Sequence, residues 1–501
     1  MKKIYFSGIG GIGMSALAQI ALKQGNIVIG SDIQQSYITN QLQKMGTQII
    51  IGQKESNITP DIDLFVYSSA IDKNNEEYRK AQQLQIPILH RSEFLNQILK
   101  DKKVIAITGS SGKTTTTTLT GIGMNQINIQ TCLITGGWID QINSNTLWNN
   151  SDTVVLEADE SDGTLLNYPV YIGLITDLAV DINLNSKAFQ NTPLNKLPSK
   201  LKEIYKNFIN KIQSAKGKLI ISEEKSLNKF IKENGFEVAA VFGTNPENNP
   251  PNNHIFLYFD NLKQCQINGY PFIEFDLKIT YKNKQELIGK AKLGSIGSYN
   301  ALNYTAAASI ILTLTEDIKK LRELNQISQT LPLPKRRFEI LLNTKIKNSR
   351  LIITDDYAHN PKKIKSLISN LNKVYKNYKR IAVFQPHRYT RTMMFWDKLK
   401  YSFFNLDYLI ILPIYEAGEA PIPNINSKNL TQVIKSSKNN IKQITYLESF
   451  ENTIDYLKKL VSLSESESKD TIIVFIGAGS VTKLAHKFAE EYALSPNFTV
   501  F

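Results

Sequence analysis

A glycine-rich turn between an apolar run and a row of threonines is the first candidate site in this sequence. Val104–Thr108 reads as a short β-branched strand, and a helix opens at Lys113. In such a turn, backbone N–H groups and the helix N-terminus bind phosphate, the lysine adds positive charge, and a threonine hydroxyl faces magnesium. The loop is a shortened form, with Ile107 where the first glycine belongs, and the alternative is an ordinary strand-to-helix turn. The residues predicted to bind phosphate are Gly109, Ser110, Ser111, Gly112, Lys113, Thr114 and Thr115.

A second glycine loop lies close to the N-terminus. Gly8-x-Gly10-x-x-Gly13 follows the apolar run Lys3–Ser7 and precedes a helical pattern, and the strand Asn26–Asp32 ends in an acid. This is the dinucleotide-binding pattern, in which an acid about 20 residues on binds a ribose hydroxyl. Alone it favours a dehydrogenase, although the same geometry holds any pyrophosphate. Because a redox enzyme has no evident use for a second phosphate loop, the two loops together predict two phosphorylated ligands.

Acidic residues follow a predicted strand of the segment that carries the phosphate loop. The strand is Thr153–Leu156, and the acids after it are Glu157, Asp159, Glu160 and Asp162. Ligands bind beyond the carboxyl ends of strands in open α/β sheets, and magnesium is held between carboxylate and phosphate oxygens. The cluster therefore predicts a magnesium site, with a solvated acidic turn as the alternative.

The densest cationic cluster also follows a predicted strand. His387, Arg388 and Arg391 come after Ile381–Gln385 and crowd the start of a helix. Arginine binds a carboxylate through two parallel hydrogen bonds, and histidine offers a donor or a proton acceptor. The alternative is a basic helix start that faces water. For Lys335–Arg337, phosphate binding and a solvated charge run are both open.

A further polar segment, Asp355–Pro361, ends the predicted strand Leu351–Thr354. If the third domain closes on the second, we expect its polar groups, His359 among them, to face a cleft. Asn360 is a typical helix cap and Pro361 a typical first helical residue. The helix that follows is predicted to bury Ile364, Leu367, Ile368 and Leu371 on one face.

Composition places the chain among ordinary globular proteins. Its 501 residues suffice for roughly three domains, and 42% hydrophobic and 21% charged residues are typical values. Two cysteines cannot form a disulfide framework, and no apolar run reaches the ~18 residues of a membrane span, so a cytoplasmic location is expected. The net charge of +14 is dispersed rather than clustered with aromatics, which argues against nucleic acid.

Strands alternate with helical stretches along the chain, which predicts an α/β fold with parallel sheets. The predicted domains are 1–100, 101–334 and 335–501, with the polar run Lys100–Lys103 at the first boundary. Alternating segments such as Phe272–Thr280 predict antiparallel strands added to the central sheet. Two surface loops are predicted, at Asn245–Asn253 and Ser462–Asp470.

Taken together, these motifs resemble those of the Mur ligase family, the ATP-dependent amide-forming enzymes of peptidoglycan synthesis. The resemblance spans nearly the whole chain and follows the family's order of motifs. It rests on Gly8–Ser15, Ser68–Ile71, His90–Arg91, Thr108–Thr115, Glu157–Asp162, Gly294–Asn303, Lys335–Phe338, Asp356–Pro361, Phe384–Arg391 and Gly418–Pro423.

The resemblance implies a fold and a reaction. The first domain would be Rossmann-like and bind the UDP-sugar, the central P-loop-like domain would bind ATP and Mg²⁺, and the C-terminal doubly wound α/β domain would close over the active site. The enzyme would join L-alanine to the lactyl carboxylate of UDP-N-acetylmuramate through an acyl phosphate. Nucleic acid and membrane insertion are not expected, and the oligomeric state is left open.

The resemblance also implies roles for individual residues. The catalytic set would be Lys113, His359, His387, Arg388 and Arg391. The ATP site would add Asn300, Asn303, Arg337, Asp356 and Tyr357 to the phosphate-binding residues named above. The metal ligands would be Thr114 and Glu157. The UDP-sugar site would comprise Gly8, Gly10, Gly11, Ile12, Gly13, Met14, Ser15, Asp32, Ser68, Ser69, Ala70, His90 and Arg91.

The sequence departs from the family pattern at a few positions. Ser111 and Ile182 stand where the family usually has histidine, the second of these being a metal ligand, and Tyr299 also replaces a histidine. An alkyl side chain cannot bind a cation, although Asp181 or Asn183 could substitute with oxygen ligands. A degenerate family member that binds UDP-sugar or ATP with weak or no ligation therefore remains an alternative.

Overall fold

Three open sheets follow one another along the chain in this computed structural model, which describes residues 1–159, 164–178, 196–244, 255–282 and 284–493. They contain five, ten and six strands, and helices connect the parallel strands. The predicted α/β class with three successive αβ segments is thereby confirmed. The exact domain boundaries remain a prediction.

The first sheet is parallel throughout, with strand order β3-β2-β1-β4-β5. Chain order reverses between β1 and β4, which creates a crevice at the carboxyl ends of these strands. Both sheet faces are buried, since Tyr5 and Phe6, neighbours on β1, belong to different apolar clusters. The elements are β1 (Lys3–Ser7), α1 (Ile12–Lys23), β2 (Ile27–Asp32), α2 (Tyr37–Lys44), β3 (Gln48–Ile51), β4 (Leu64–Tyr67), α3 (Glu76–Gln83), β5 (Ile88–His90) and α4 (Arg91–Leu99).

The second sheet has the order β15-β14-β13-β12-β11-β10-β6-β9-β7-β8. Its central strands are parallel, and β7 and β8 form an antiparallel hairpin at one edge. At the other edge, Asn268 and Gly269 join β13 to β14 with positive φ angles of 50° and 82°, as in a two-residue hairpin turn. The predicted added antiparallel strands are thus confirmed.

The strands are β6 (Lys103–Thr108), β7 (Cys132–Ile139), β8 (Ser144–Leu147), β9 (Thr153–Glu157), β10 (Val170–Ile175), β11 (Lys218–Ser222), β12 (Ala240–Gly243), β13 (Ile255–Ile267), β14 (Tyr270–Tyr281) and β15 (Lys284–Leu293). The helices are α5 (Lys113–Gln126), α6 (Leu197–Ser214), α7 (Lys225–Asn234), α8 (Ser298–Thr315) and α9 (Ile318–Ile327).

The third sheet has the order β16-β17-β21-β18-β19-β20, and only the β16–β17 pair is antiparallel. The helix expected after Asn360 is confirmed, because the Asn360 side chain accepts from Lys363 N at 2.9 Å and the four predicted apolar residues are buried. The strands are β16 (Glu339–Ile346), β17 (Ser349–Asp356), β18 (Lys379–Phe384), β19 (Tyr408–Ile411), β20 (Gln443–Tyr446) and β21 (Thr471–Ile476). The helices are α10 (Pro361–Val374), α11 (Tyr389–Met394), α12 (Trp396–Leu399), α13 (Ser427–Lys435), α14 (Phe450–Ser466) and α15 (Val481–Ala493).

The predicted loop at Ser462–Asp470 is wrong in its first half, because α14 continues to Ser466. Its apolar face ends in a small polar residue, Ser464, which is buried and donates its hydroxyl to Leu460 O at 2.8 Å. A serine that bonds the carbonyl four residues back stays compatible with a helix. Serine and glutamate content alone therefore could not locate the end of this helix.

By packing, the described chain forms two compact units. The first comprises Met1–Asn261, Phe275–Ala291 and Ala301–Pro334, and the second comprises Leu262–Glu274, Lys292–Asn300 and the chain from Lys335 onward. Within the residues that the structure describes, no helix is both long and apolar enough to traverse a bilayer.

Candidate active site

The phosphate loop after β6 needs glycine at two positions. Gly109 and Gly112 have φ angles of 121° and 83°, values that favour glycine. A β-carbon on Gly109 would collide with the Thr176 hydroxyl, and one on Gly112 would collide with Asn303 Oδ1. Ser110 N donates to the buried Asp177 Oδ1 at 3.2 Å, which anchors the loop against the end of β10. The loop is therefore closely enclosed on the side of β10 and Asn303, and it leads directly into the N-terminus of α5, the type of helix end that favours an anion.

Oxygen ligands suited to magnesium meet beside this loop. Thr114 Oγ1 lies 3.1 Å from Glu157 Oε1, and Glu157 Oε2 accepts from Gly136 N at 2.8 Å. Lys113 Nζ lies 3.9 Å from Asp159 Oδ1. Magnesium is commonly bound by one or two carboxylates together with substrate phosphates. The residues present fit that chemistry, although no group of three or more acidic, histidine or cysteine side chains that could hold a metal occurs among the described residues.

The first glycine loop is held by the acid at the end of β2. Gly10 N donates to Asp32 Oδ2 at 2.9 Å, so this carboxylate fixes the loop itself. Gly8 has a φ of 79°, and a β-carbon there would lie 2.8 Å from Ser68 Oγ. A β-carbon on Gly13 would lie 3.1 Å from Arg91 Nη1. Residues from three predicted segments therefore converge on one loop.

Three further predicted residues meet beside this loop. Ser69 Oγ lies 3.1 Å from His90 Nε2 and accepts from Arg91 Nε at 3.3 Å. His90 Nδ1 also lies 2.8 Å from Ser92 Oγ, which fixes the ring at the start of α4. Two residues of the predicted set face inward instead, since Met14 and Ser15 are buried in α1.

One hairpin contacts both the first glycine loop and the Glu157 carboxylate beside the second. Asn145 Nδ2, on β8, donates to Ile12 O at 2.5 Å, directly after the first loop. Gln19 Nε2 donates to Asn145 Oδ1 at 2.9 Å, and Ser144 Oγ donates to Gln19 Oε1 at 2.6 Å. On β7 of the same hairpin, Gly136 N binds the Glu157 carboxylate at the second loop. The β7–β8 hairpin therefore links the two predicted phosphate sites within the first unit.

The second unit contains the cationic cluster. Arg388 has a φ of 66° and directly precedes α11, and Arg391 Nη1 lies 3.0 Å from His387 Nδ1. The His387 ring stacks on Tyr415 with centroids 5.5 Å apart. Glu419 accepts from Thr390 N at 2.9 Å and from its hydroxyl at 2.7 Å. The cluster is thus fixed by a neighbouring loop that includes Gly418–Pro423, a motif of the family resemblance to which no role in the site was assigned from the sequence.

Burial, together with the positive charges of Arg391 and Arg388, lowers the pKa of His387 from 6.5 to about 3. The imidazole is therefore neutral at physiological pH and can accept from Arg391 while the guanidinium remains charged. Burial also lowers the pKa of Arg388. The cluster carries its positive charge on the two arginines, with the histidine as an orienting group.

We expect the His387 ring to stay neutral from pH 8 down to pH 5. In ¹³C-labelled protein, its Cε1 resonance, assigned by its loss in His387→Gln, should show no titration midpoint in that range. Because the unfolded chain protonates near 6.5 and the folded chain does not, this residue should also make the protein less stable as pH falls from 6.5 towards 3. A midpoint above pH 5 would contradict the buried, cation-flanked environment.

A second polar group of the same unit surrounds Tyr357. The Arg336 and Arg337 guanidinium groups lie 4.8 and 5.3 Å from its ring centre, and the His359 ring lies 5.0 Å away. Arg336 has an unusual positive φ of 62°. Such strained backbone clusters at ligand sites. The structure thus brings together Arg337 and Tyr357 of the predicted ATP site and His359 of the predicted catalytic set.

The carboxylate of Asp356 is directed at the backbone. Its oxygens accept from Phe338 N and Ala358 N, both at 2.8 Å. Burial raises its pKa to about 6, with Arg337 acting in the opposite direction. Within the second unit this buried residue joins two turns, because both turns present N–H groups that need a buried acceptor. Its place in a cleft formed by domain closure stays a prediction.

Asn300 is also an internal residue. It is 1% exposed, and its amide donates to Ser295 Oγ at 2.6 Å and to Ile296 O at 2.9 Å. Its contribution to nucleotide binding stays a prediction. Glu160–Asp162, Asp181–Asn183 with Ile182 among them, Asn245–Asn253 and His254 lie outside the described residues.

Comparison with known proteins supplies an independent test. Residues 3–103 match the model of the "Mur ligase family, catalytic domain", and residues 336–479 match that of the "Mur ligase, glutamate ligase domain". A UDP-N-acetylmuramate–L-alanine ligase of Persephonella marina is 31% identical over 98% of this chain and 97% of its own length. The protein of that name in Clostridium kluyveri is 32% identical over 98% of each chain.

Solved structures are similar in fold. The crystal structure of a UDP-N-acetylmuramate–alanine ligase from Thermotoga maritima superposes with a TM-score of 0.77 at 24% identity, covering 98% of this chain and 99% of that one. A murein peptide ligase from Psychrobacter arcticus has a TM-score of 0.64 at 18% identity, covering 99% of each chain.

Proposed function

This chain belongs to the Mur ligase family, and on that premise we propose that it joins L-alanine to the lactyl carboxylate of UDP-N-acetylmuramate in peptidoglycan precursor synthesis. Full-length relatives at about this level of identity carry that activity in their names. ATP would be converted to ADP and phosphate, with Mg²⁺ as the accompanying ion and the cytoplasm as the location.

One structural observation carries the proposal. Two glycine loops, each of which we assign to a phosphate group, lie in one compact unit, and the β7–β8 hairpin contacts the first loop and the Glu157 carboxylate beside the second. A ligase that activates a UDP-linked acid with ATP needs both loops at once, because it binds two phosphorylated substrates together. A dehydrogenase needs only the first.

The proposed reaction has two steps. An oxygen of the lactyl carboxylate attacks the γ-phosphorus, and the bond to the β-phosphate oxygen breaks to give ADP and an acyl phosphate. The alanine nitrogen then attacks the acyl carbon, a C–N bond forms, the C–O bond to phosphate breaks, and the amine loses a proton. The chain contributes mainly by placing these groups and neutralising the charge that develops.

Particular residues have particular tasks in this proposal. The amides of the Gly109–Gly112 turn and Lys113 bind the β- and γ-phosphates, and the Gly8–Gly13 loop binds the pyrophosphate of the sugar nucleotide. Thr114 and Glu157 would hold Mg²⁺, which supplies charge neutralisation at the phosphates when bound. In the second unit, Arg388 and Arg391 receive a carboxylate or the acyl phosphate while neutral His387 orients Arg391.

The deciding experiment is an ADP-release assay with each substrate omitted in turn. We expect ADP release to require both UDP-N-acetylmuramate and L-alanine and to equal amide formation. ADP release without alanine would indicate an enzyme that hydrolyses the acyl phosphate. No release under any condition, with binding of UDP-sugar or ATP retained, would favour the degenerate ligand-binding protein.

A further inference from the structure

Glu77 is a fully buried carboxylate beneath the first glycine loop and plays no part in the proposed reaction. Its Oε1 accepts from Tyr5 OH at 2.7 Å and from Asn57 Nδ2 at 2.8 Å. Its Oε2 accepts from Ser7 Oγ at 2.6 Å and from Ser31 Oγ at 2.7 Å. Each oxygen thus receives two donors, which matches the acceptor capacity of an ionised carboxylate.

One of these donors, Ser7, is itself oriented by a closed ring of hydrogen bonds that includes Glu77. Asn75 Nδ2 donates to Gln53 Oε1 at 3.0 Å, and Gln53 Nε2 donates to Ser7 Oγ at 3.4 Å. Ser7 in turn donates to Glu77, whose own backbone N donates to Asn75 Oδ1 at 2.9 Å. Ser7 has a single hydroxyl proton and donates it to Glu77, so the atom of residue 77 that faces Ser7 must be a hydrogen-bond acceptor.

The two serines that bind Glu77 Oε2 stand at the ends of the strands that carry the glycine loop. Ser7 directly precedes Gly8. Ser31 O accepts from both Gly8 N and Ile9 N at 2.9 Å. The next residue, Asp32, accepts from Gly10 N. The carboxylate therefore joins the ends of β1 and β2 through Ser7 and Ser31. The first residues of the glycine loop are bonded to this same point, through Ser31 O.

We propose that Glu77 is a positioning residue for the UDP-sugar loop and sets affinity for the sugar nucleotide through Ser7 and Ser31. This inference rests on the proposed function of that loop. Glutamine at this position would turn its N–H₂ group either towards Ser7 and Ser31 or towards Tyr5 and Asn57. In either orientation two donors lose their acceptor, so the four-donor arrangement that fixes the base of the loop is broken. The phosphate loop after β6 shares none of these contacts.

The test compares Glu77→Gln with Glu76→Gln, a matched change at the exposed neighbouring residue. In the full-length enzyme we expect Glu77→Gln to raise KM for UDP-N-acetylmuramate about tenfold or more, while KM for ATP, KM for L-alanine and kcat per active site change little. If Glu77 had only a structural role, the variant would have a lower active fraction and a lower melting temperature, and KM for UDP-N-acetylmuramate would not rise relative to the other constants. Glu76→Gln should leave every constant unchanged.

Calorimetric titration with UDP-N-acetylmuramate separates this inference from the proposed function. If the unmodified protein does not bind it, both fail. If the unmodified protein and Glu77→Gln bind equally, only the role of Glu77 is overturned. Should Glu77→Gln fail to fold, Ser31→Ala keeps the carboxylate and removes one donor, and it must show a smaller rise in the same constant for the inference to stand.

Discussion

Replacing Lys113 with alanine is expected to lower kcat by about a thousandfold while the affinity for UDP-N-acetylmuramate stays unchanged. The lysine begins α5 directly after Gly112, and its side chain is 15% exposed beside Asp159. In the proposed reaction its ammonium group neutralises charge on the phosphate that is transferred. That charge is greatest during transfer, so the loss should fall on turnover rather than on binding of the other substrate.

Lys102→Ala is the matched control for this change. Lys102 is also a partly buried lysine, 21% exposed, and it pairs with Asp152 at 3.4 Å, but it lies outside the phosphate loop. Its removal should leave kcat within about twofold, as expected for a surface ion pair. Steady-state ADP release and calorimetry with the UDP-sugar measure both variants. Normal turnover in Lys113→Ala would contradict the phosphate site.

Arg388→Ala should reduce amide formation by about a hundredfold and ADP formation by much less. Its guanidinium group lies in a cluster whose histidine is neutral, so the side chain supplies much of the local positive charge. If it orients the acyl phosphate or the alanine carboxylate, its loss leaves an activated acid without a correctly placed amine. Water then hydrolyses the acyl phosphate, so more ADP than amide product is formed. Separate measurement of the two products in the same reaction tests this.

Two further variants make the result on Arg388 specific. Arg388→Lys keeps the positive charge but cannot form the bidentate hydrogen bonds of a guanidinium group, so we expect it to retain only part of the amide-forming activity. Arg380→Ala removes another partly buried arginine of the same unit, which binds Asn372 Oδ1 at 2.9 Å. It should cost stability without changing the ratio of amide to ADP. An unchanged ratio in Arg388→Ala would place that arginine outside the second half of the reaction.

Parts of the fold could be predicted where they depend on residues close together in the sequence, such as turns and helix caps. The turn that contains Gly109 and Gly112 lies between β6 and α5, as its pattern predicts, and Asn360 caps the helix that Pro361 begins. The grouping of Ser69, His90 and Arg91 was also predictable, since the carboxyl ends of neighbouring parallel strands share one edge of a sheet. Their assignment to a substrate remains a prediction.

The parts that could not be predicted depend on contacts between distant residues. Glu77 meets donors 72, 70, 46 and 20 residues away, and nothing in its local sequence distinguishes it from the exposed Glu76. Asn145 and Ile12 are separated by 133 residues. Asp356 reads as one acid of a polar segment until the fold shows the N–H groups of Phe338 and Ala358 around it. Polar residues in such networks resemble surface residues in sequence.

The contact of Asn145 with the backbone of Ile12 also limits how this protein can be recombined. Although the first sheet has its own order of strands and one apolar cluster of its own, it is not an interchangeable module, because its other apolar cluster continues into the second sheet. A chimera that takes residues 1–100 from a relative without glutamine at position 19 would lose the side chain that bonds Ser144 and Asn145 of the hairpin. Grafts that transfer the β7–β8 hairpin together with the N-terminal segment should preserve catalysis, whereas grafts joined at residue 100 should leave the hairpin mismatched with its new neighbour.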